Sequence, residues 1–495
     1  MLEQAEIDRL RDAVVAPQGH VIEGRRDPAQ SGEELDVINP ADGSKITTIA
    51  RGTKADVDRA VASARAAFAD GRWSRMPPAA RMKIMHRWAD LVEAEAARLA
   101  VLGVRDNGTE IAMALKAEPG SAAATIRYYA EAINKVYGEI APTPDTHLAL
   151  IHKEPVGVVG AIVPWNFPLM IGAWKLGPSL AAGNSVVLKP AETASLSLLR
   201  MAELALEAGL PPGVLNVVTG EGRVVGEALA LSMEVDVLVF TGSGATGRRL
   251  LEYAARSNLK RVYLELGGKS PHVIFKDAPD LDLAAKVAAA AIFRNAGQVC
   301  VAASRLLVEA EIHDSFSAAV AEHARAMRVG DPLNVTTDIG AVNSLGQLKQ
   351  DLELTETARA EGGTILTGGE RILEDTGGFF MAPTVVTGVD PEATLAQREV
   401  FGPVLAVTKF ETEAEAVALA NATDFGLAAG LWTTDLTRAH RMVRAIRAGV
   451  VHVNTYGGPD ITVPLGGVKQ SGNGHDKSLH ALDKYLDLKT AWIAL

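Results

Sequence analysis

Val235-Asp236-Val237-Leu238-Val239-Phe240-Thr241-Gly242-Ser243-Gly244-Ala245-Thr246-Gly247 is the stretch that decides the fold class. The run Val235 to Phe240 is short, apolar and rich in β-branched residues, so it reads as a buried strand. Glycines follow at once, and Thr246 to Arg256 then carries a helical pattern. Strand, glycine turn and helix in that order form the first half of a βαβ unit. The G-x-G-x-x-G spacing at 242–247 brings backbone N–H groups to a helix start, where they can hold a pyrophosphate. Glycines also make ordinary turns, so it is the setting that points to a dinucleotide.

Outward from this unit the alternation continues. Ser185 to Leu188 precedes the helix Ala194 to Ala208, Val214 to Val218 precedes Gly222 to Ala230, and Arg261 to Leu266 closes the series. Such regular alternation predicts a parallel sheet with helices on both faces. A second series runs to about Asn454, with strands at Pro271–Phe275, Ser304–Val308, Val385–Val389 and Val404–Phe410 and helices at Glu311–Arg328, Glu413–Asn421 and Thr433–Gly449. Ahead of both lie a strand pair around the Ala41-Asp42-Gly43-Ser44 turn and helices at Lys54–Asp70, Pro78–Gly103 and Ser121–Val136. A closing strand, Leu488–Ile493, has no partner in its own series and reads as an edge that another subunit could extend.

At 495 residues the chain needs more than one core. A net charge of −11 argues against nucleic acid, which asks for a basic stripe. The N-terminal residues lack the apolar core of a secretory signal, no uncharged run has membrane-spanning length, and no Cys/His cluster has zinc spacing, so no metal and no membrane partner are expected. One cysteine excludes an intrachain disulfide and suits a reducing compartment; a cytoplasmic protein is expected.

That cysteine ends Phe293-Arg294-Asn295-Ala296-Gly297-Gln298-Val299-Cys300, where Asn295 and Gly297 break the apolar helix from Ala284 and put the thiol on a turn. A lone cysteine is more often an inert core residue. Here, however, F-x-N-x-G-Q-x-C and the upstream Leu264-Glu265-Leu266-Gly267-Gly268-Lys269-Ser270-Pro271 resemble the signatures of the NAD(P)-dependent aldehyde dehydrogenases. Further matches extend from about Asn39 to the C-terminus. The resemblance implies that family's α/β fold: a Rossmann-type cofactor domain (1–133 and 151–266), a second α/β catalytic domain (267–454) and a β oligomerisation arm (134–150 and 476–495), with 455–475 looping back. It also implies a homodimer or homotetramer.

By the same resemblance Cys300 is the nucleophile, Asn166 of Pro164-Trp165-Asn166-Phe167-Pro168 supplies an oxyanion donor, and Glu265 is the general base. Spacing alone reads Glu265 differently, because an acid about 20 residues past the glycines usually binds ribose. The family gives that task to Lys189 and Glu192, with Trp165, Gly242 and Ser243 beside the dinucleotide. Glu399 and Phe401 of Glu399-Val400-Phe401-Gly402-Pro403 hold its nicotinamide end. A carboxylate at the ribose favours NAD over NADP. Phe167, Trp174 and Leu465 are expected to line the substrate passage.

The tail Gly466–Leu482 and the Pro459–Pro464 stretch resemble bacterial gamma-glutamyl-gamma-aminobutyraldehyde and aminoaldehyde dehydrogenases. Glu118 and Asp460 are therefore expected as acids at a passage mouth that receives an amine. Leu465, His475 and Thr109 depart from residues usual in the family. Two other readings stay open: transfer of the acyl group to coenzyme A, which a hydrolytic base at Glu265 argues against, and a non-catalytic dinucleotide-binding relative.

Overall fold

A computed structural model describes residues 2–458 and 460–495. Met1 lies outside them, as does Pro459, the first residue of one stretch matched to the aminoaldehyde subgroup. Two seven-stranded sheets dominate the architecture. The first is ordered Arg261–Glu265, Val237–Thr241, Val158–Ile162, Ser185–Lys189, Leu215–Val217, all parallel, and is extended by the antiparallel hairpin His20–Ile22/Arg25–Asp27. Its strands are buried on both sides, so they read as continuous apolar runs. Val159, Ala161, Val237 and Val239 enter one core, while Val158, Ile162, Leu238 and Phe240 enter the other. That is the two-residue period of a pleated strand.

From Val158–Ile162 the chain first builds outward through Ser185 and Leu215, then returns to add Val237–Thr241 on the opposite side. Strand order therefore reverses between Val158–Ile162 and Val237–Thr241, and a crevice opens beyond their C-terminal ends. Pro164–Pro168 leaves one strand there, and Gly242 leaves the other. The topology alone thus brings the candidate oxyanion element beside the glycine turn.

The second sheet runs Thr364–Thr367, Thr384–Thr387, Val404–Phe410, Arg305–Glu309, Pro271–Ile274, Ala428–Trp432, Val450–Val453, with only Thr364–Thr367 antiparallel. Ala428–Trp432 and Val450–Val453 are strands the sequence reading leaves out, as is the helix Leu345–Ala360. The single helix expected over Pro78–Gly103 is two, Pro78–Ala94 and Ala96–Asn107. The break falls at Glu95, whose carboxylate clamps Arg200.

The closing strand, Leu486–Ala494, is not left unpaired within the chain. It lies antiparallel on His147–Pro155, which also pairs with Glu139–Ala141. Nothing local announces a pairing across more than three hundred residues. Leu488, Trp492 and Ile493 remain exposed on that outer strand. Among the described residues no helix is long and apolar enough to cross a membrane.

Candidate active site

The turn that carries Cys300 follows the Leu281–Phe293 helix, an alanine-rich run whose cap, Asp280, accepts from the Leu283 N–H. Asn295, Ala296 and Gly297 then all adopt positive φ, at 51°, 50° and 74°. For alanine that is an uncommon backbone state, and it persists only where surroundings over-determine it. They do so here. The Asn295 N–H donates to Glu110 Oε1 at 3.1 Å, the Thr109 hydroxyl to Asn295 Oδ1 at 2.7 Å, and Asn295 Nδ2 to the Asn166 carbonyl at 3.2 Å. Gln298 Oε1 holds the turn from a further side by accepting from the Asn343 N–H at 2.8 Å. The hydroxyl of Thr109, one of the departures noted from the sequence, is part of this brace. Glu110, pushed up to about 7 by burial, is part of it too.

The glycines of both signatures have steric reasons. A Cβ on Gly297 would collide with the Gly402 carbonyl. One on Gly268 would stand 2.6 Å from the Cys300 carbonyl oxygen, and one on Gly267 would strike the Glu399 carboxylate. The glycine pair of one signature is thus the surface against which the other signature packs.

A cleft of about 300 Å³ follows, lined by Trp165, Asn166, Gly242, Ser243, Gly267, Cys300, Glu399 and Phe401 among others. Cys300 is a free, half-buried thiol within it. Burial, then the nearby carboxylates of Glu399 and Glu265, push it up to about 12. Asn166 is buried, and its amide donates one hydrogen to the Gln298 carbonyl at 2.9 Å; an amide has a second hydrogen to give. Glu399 accepts from the Gly268 N–H at 2.9 Å, and burial pushes its carboxyl up to about 7. Trp165 and Phe401 meet edge to face at 5.3 Å.

A second cleft, of about 480 Å³, lies beyond the same glycine turn, lined by Ile162, Glu192, Gly222, Arg223, Gly226, Thr246, Arg249 and Leu250. Lys189 is buried and pairs with Glu192 at 3.0 Å, and the Gly222 N–H also donates to that carboxylate. Ser243 caps the Gly244–Ala255 helix by accepting from the Thr246 N–H; Ser243 lines the first cleft and Thr246 the second. Two clefts on either side of a helix start, each with a carboxylate, fit an extended dinucleotide. Glu265 does not line the adenosine-sized cleft, so the ribose role suggested by spacing has Glu192 as its better-placed holder.

Glu265 ends the strand Arg261–Glu265 and is only 6% exposed, with Oε1 buried and taking no hydrogen bond from the described residues. Burial, then Asp476, push its carboxyl well above the usual range; Lys175 and Lys484 act in the opposite sense. Those three residues form a buried cluster that sequence reading missed, since positions 175, 265, 476 and 484 share no motif.

Around the Pro168–Ala182 helix, Phe167 and Trp174 are buried in an apolar cluster that Leu465, Met113, Met170 and Val299 complete. Val299 immediately precedes Cys300 in the chain. One expectation for its mouth requires correction. Glu118 is buried, not at a mouth: its carboxylate accepts from the Leu169 and Met170 N–H groups at 2.7 and 3.2 Å and caps the helix start. Burial pushes it up to about 8. Asp460 is exposed, as expected, but Lys477 faces it and lies 5.9 Å from the Trp174 ring. The mouth therefore carries both charges, not acids alone.

Residues 27–491 match the aldehyde dehydrogenase family. The NADP/NAD-dependent aldehyde dehydrogenase PuuC of Escherichia coli is 48% identical over 96% of this chain and 95% of its own. The crystal structure of gamma-glutamyl-gamma-aminobutyraldehyde dehydrogenase from Burkholderia cenocepacia superposes with a TM-score of 0.98 at 47% identity, covering all of both chains. An indole-3-acetaldehyde dehydrogenase solved with NAD+ also superposes at 0.98, with 48% identity over all of both chains.

Proposed function

The chain belongs to the aldehyde dehydrogenase family, and from that premise we propose which of its groups act on an aldehyde and which aldehyde they serve. The observation that carries the reading is the convergence of Cys300, Asn166 and Glu399 on one cleft at the strand-order reversal.

A carbonyl carbon is a poor hydride donor until a nucleophile adds to it. Cys300 Sγ attacks the aldehyde carbon, and the oxygen that becomes negative is held by the second Asn166 amide hydrogen and the Cys300 N–H. A bound dinucleotide would supply the hydride acceptor, and loss of hydride from the Cys300 adduct would leave a thioester on that sulfur. Lys189 and Glu192 hold its adenosine ribose, Gly242 and Ser243 border the pyrophosphate, and Glu399 with Phe401 and Trp165 seats its far end. Glu265 then accepts a proton from water; the water oxygen bonds to the thioester carbon, the C–S bond breaks, and sulfur keeps the electron pair. The thiol's high resting pKa means that little thiolate forms at neutral pH without help, so Glu265 also assists the first step.

NAD is the favoured dinucleotide because the Glu192 carboxylate would repel a 2′-phosphate. The relative named for both cofactors keeps NADP open to measurement, through KM for each. The substrate is an aminoaldehyde such as gamma-glutamyl-gamma-aminobutyraldehyde or 4-aminobutanal. The Asp460–Lys477 pair favours the former, whose glutamyl end carries an ammonium and a carboxylate together. Overall identity does not choose, since an indole-aldehyde enzyme is equally similar. The arm sheet, with its exposed apolar outer strand, serves a homodimer or homotetramer, and the enzyme acts in the cytoplasm.

Stopped-flow NADH formation with and without coenzyme A tests the reading. CoA-independent turnover to the acid supports it; CoA-dependent turnover makes the chain an acyl-transfer enzyme, and no NADH from any aldehyde makes it a non-catalytic relative.

A further inference from the structure

Behind Glu265 lies a charge cluster shut away from solvent. Asp476 is 1% exposed and accepts from two ammonium groups: Lys175 Nζ on Oδ2 at 2.5 Å and Lys484 Nζ on Oδ1 at 2.7 Å. Lys175 comes from the Pro168–Ala182 helix; Asp476 and Lys484 come from the C-terminal segment. That segment is pressed onto the end of the Glu265 strand. Gly472 bridges Glu265, the Gly474 N–H donates to the Leu264 carbonyl at 2.9 Å, and a Cβ on Gly474 would stand 3.2 Å from Glu265 Oε1. Tyr129 holds the segment from the Pro119–Ala132 helix through the Ser478 carbonyl at 2.9 Å.

The count of charges is the point. Lys175 and Asp476 alone cancel, so an ionised Glu265 beside them would leave one uncompensated negative charge in a buried site. A second ammonium makes the whole group neutral with Glu265 ionised. We propose that Lys484 is a positioning residue for the hydrolytic half of the reaction: held on Asp476, its ammonium offsets that carboxylate and lets Glu265 act as the base toward water. This rests on the role given to Glu265 above. The titratable groups that face the site are Lys175 from its helix, Asp476, Lys484 and Tyr485 from the C-terminal segment, Tyr129 from the Pro119–Ala132 helix, Tyr263 on the Glu265 strand, and Cys300 across the cleft. Asp476 sits below the usual carboxylate range despite its burial, held there by Lys175 and Lys484. Glu265 itself is raised by burial and by Asp476, so losing a cation would raise it further.

The test compares Lys484→Met and Lys484→Arg in the full-length enzyme by two readouts. Hydrolysis of p-nitrophenyl acetate, followed from pH 5 to 10, reports the thioester-type step without a dinucleotide. The pre-steady-state NADH burst with an aldehyde reports acylation and hydride loss. The expected result for Lys484→Met is an acid limb of hydrolysis moved up by about one pH unit, hence about tenfold slower at the foot of the limb, with the burst rate held within about threefold. Lys484→Arg returns the limb to its starting position. An unmoved limb in Lys484→Met overturns the proposal, as does an equal fall in both steps that Lys484→Arg does not repair. If Lys484→Met does not fold, Lys484→Gln keeps a donor for Asp476 without the charge, and its limb decides by the same criterion. A wild-type enzyme that hydrolyses the ester but yields no NADH from any aldehyde sinks the dehydrogenase reading and leaves this one standing.

Discussion

The turn that carries Cys300 and the proposed mouth around Asp460 are built by opposite rules. At the turn, three consecutive residues with positive φ are braced from four directions, by Thr109, Glu110, Asn166 and Asn343. At the mouth, Asp460 stands exposed in a loop, its oxygen accepting from the Thr462 N–H at 2.8 Å, with Lys477 as its charged neighbour. Of that pair only Asp460 is open to solvent; Lys477 is buried, and its burial pushes the ammonium down. Backbone held from several sides at the turn thus contrasts with a half-screened charge pair on a loop.

The contrast breaks if the turn proves tolerant. Cys300→Ala is expected to lower NADH formation by at least about 10⁴-fold while leaving the melting temperature close to wild type, because loss of a nucleophile removes the covalent route. Thermal unfolding and steady-state NADH assays read both. Asn166→Ala should cost about 10²–10³ in kcat, with KM changed far less, since its amide acts on charge that develops only in the transition state. An equal rise in KM would assign it to ground-state binding instead. Gly297→Ala must shift the Gly402 carbonyl and adopt a positive φ. About 1–2 kcal/mol of stability, seen as a lowered melting temperature, and a loss of activity of roughly tenfold or more are expected. The smallest effect belongs to the mouth. Asp460→Asn should change kcat/KM for gamma-glutamyl-gamma-aminobutyraldehyde by no more than about tenfold, as expected for an exposed charge, and leave propanal unaffected. A hundredfold loss would mean that the mouth is as tightly built as the turn.

What could be read from the sequence follows the same division. Cys300, Glu265 and Asn166 each sit inside a contiguous motif, and the strand-and-helix alternation around Gly242 places the crevice by topology. The bracing residues were beyond reach because they act at a distance along the chain. Thr109 could be seen only as a departure from the family pattern, although its hydroxyl meets Asn295 from 186 positions away. Glu118 was misplaced for a related reason: an acid in a short helical stretch looks solvated until the start of a second helix is found resting on it. Lys477 went unread as a neighbour of Asp460, since one lies before and one after the Leu465–Asp476 bridge. The strands Ala428–Trp432 and Val450–Val453 were lost among small residues whose period is weak; it is the sheet around them that makes them strands.

Because Cys300 is the only cysteine in the sequence and lines a cleft, a thiol reagent that modifies the folded protein marks that one position. The same atom accepts a spectroscopic label without removal of competing cysteines. On the role proposed for it, its oxidation would silence catalysis with no disulfide partner in the chain to shield it.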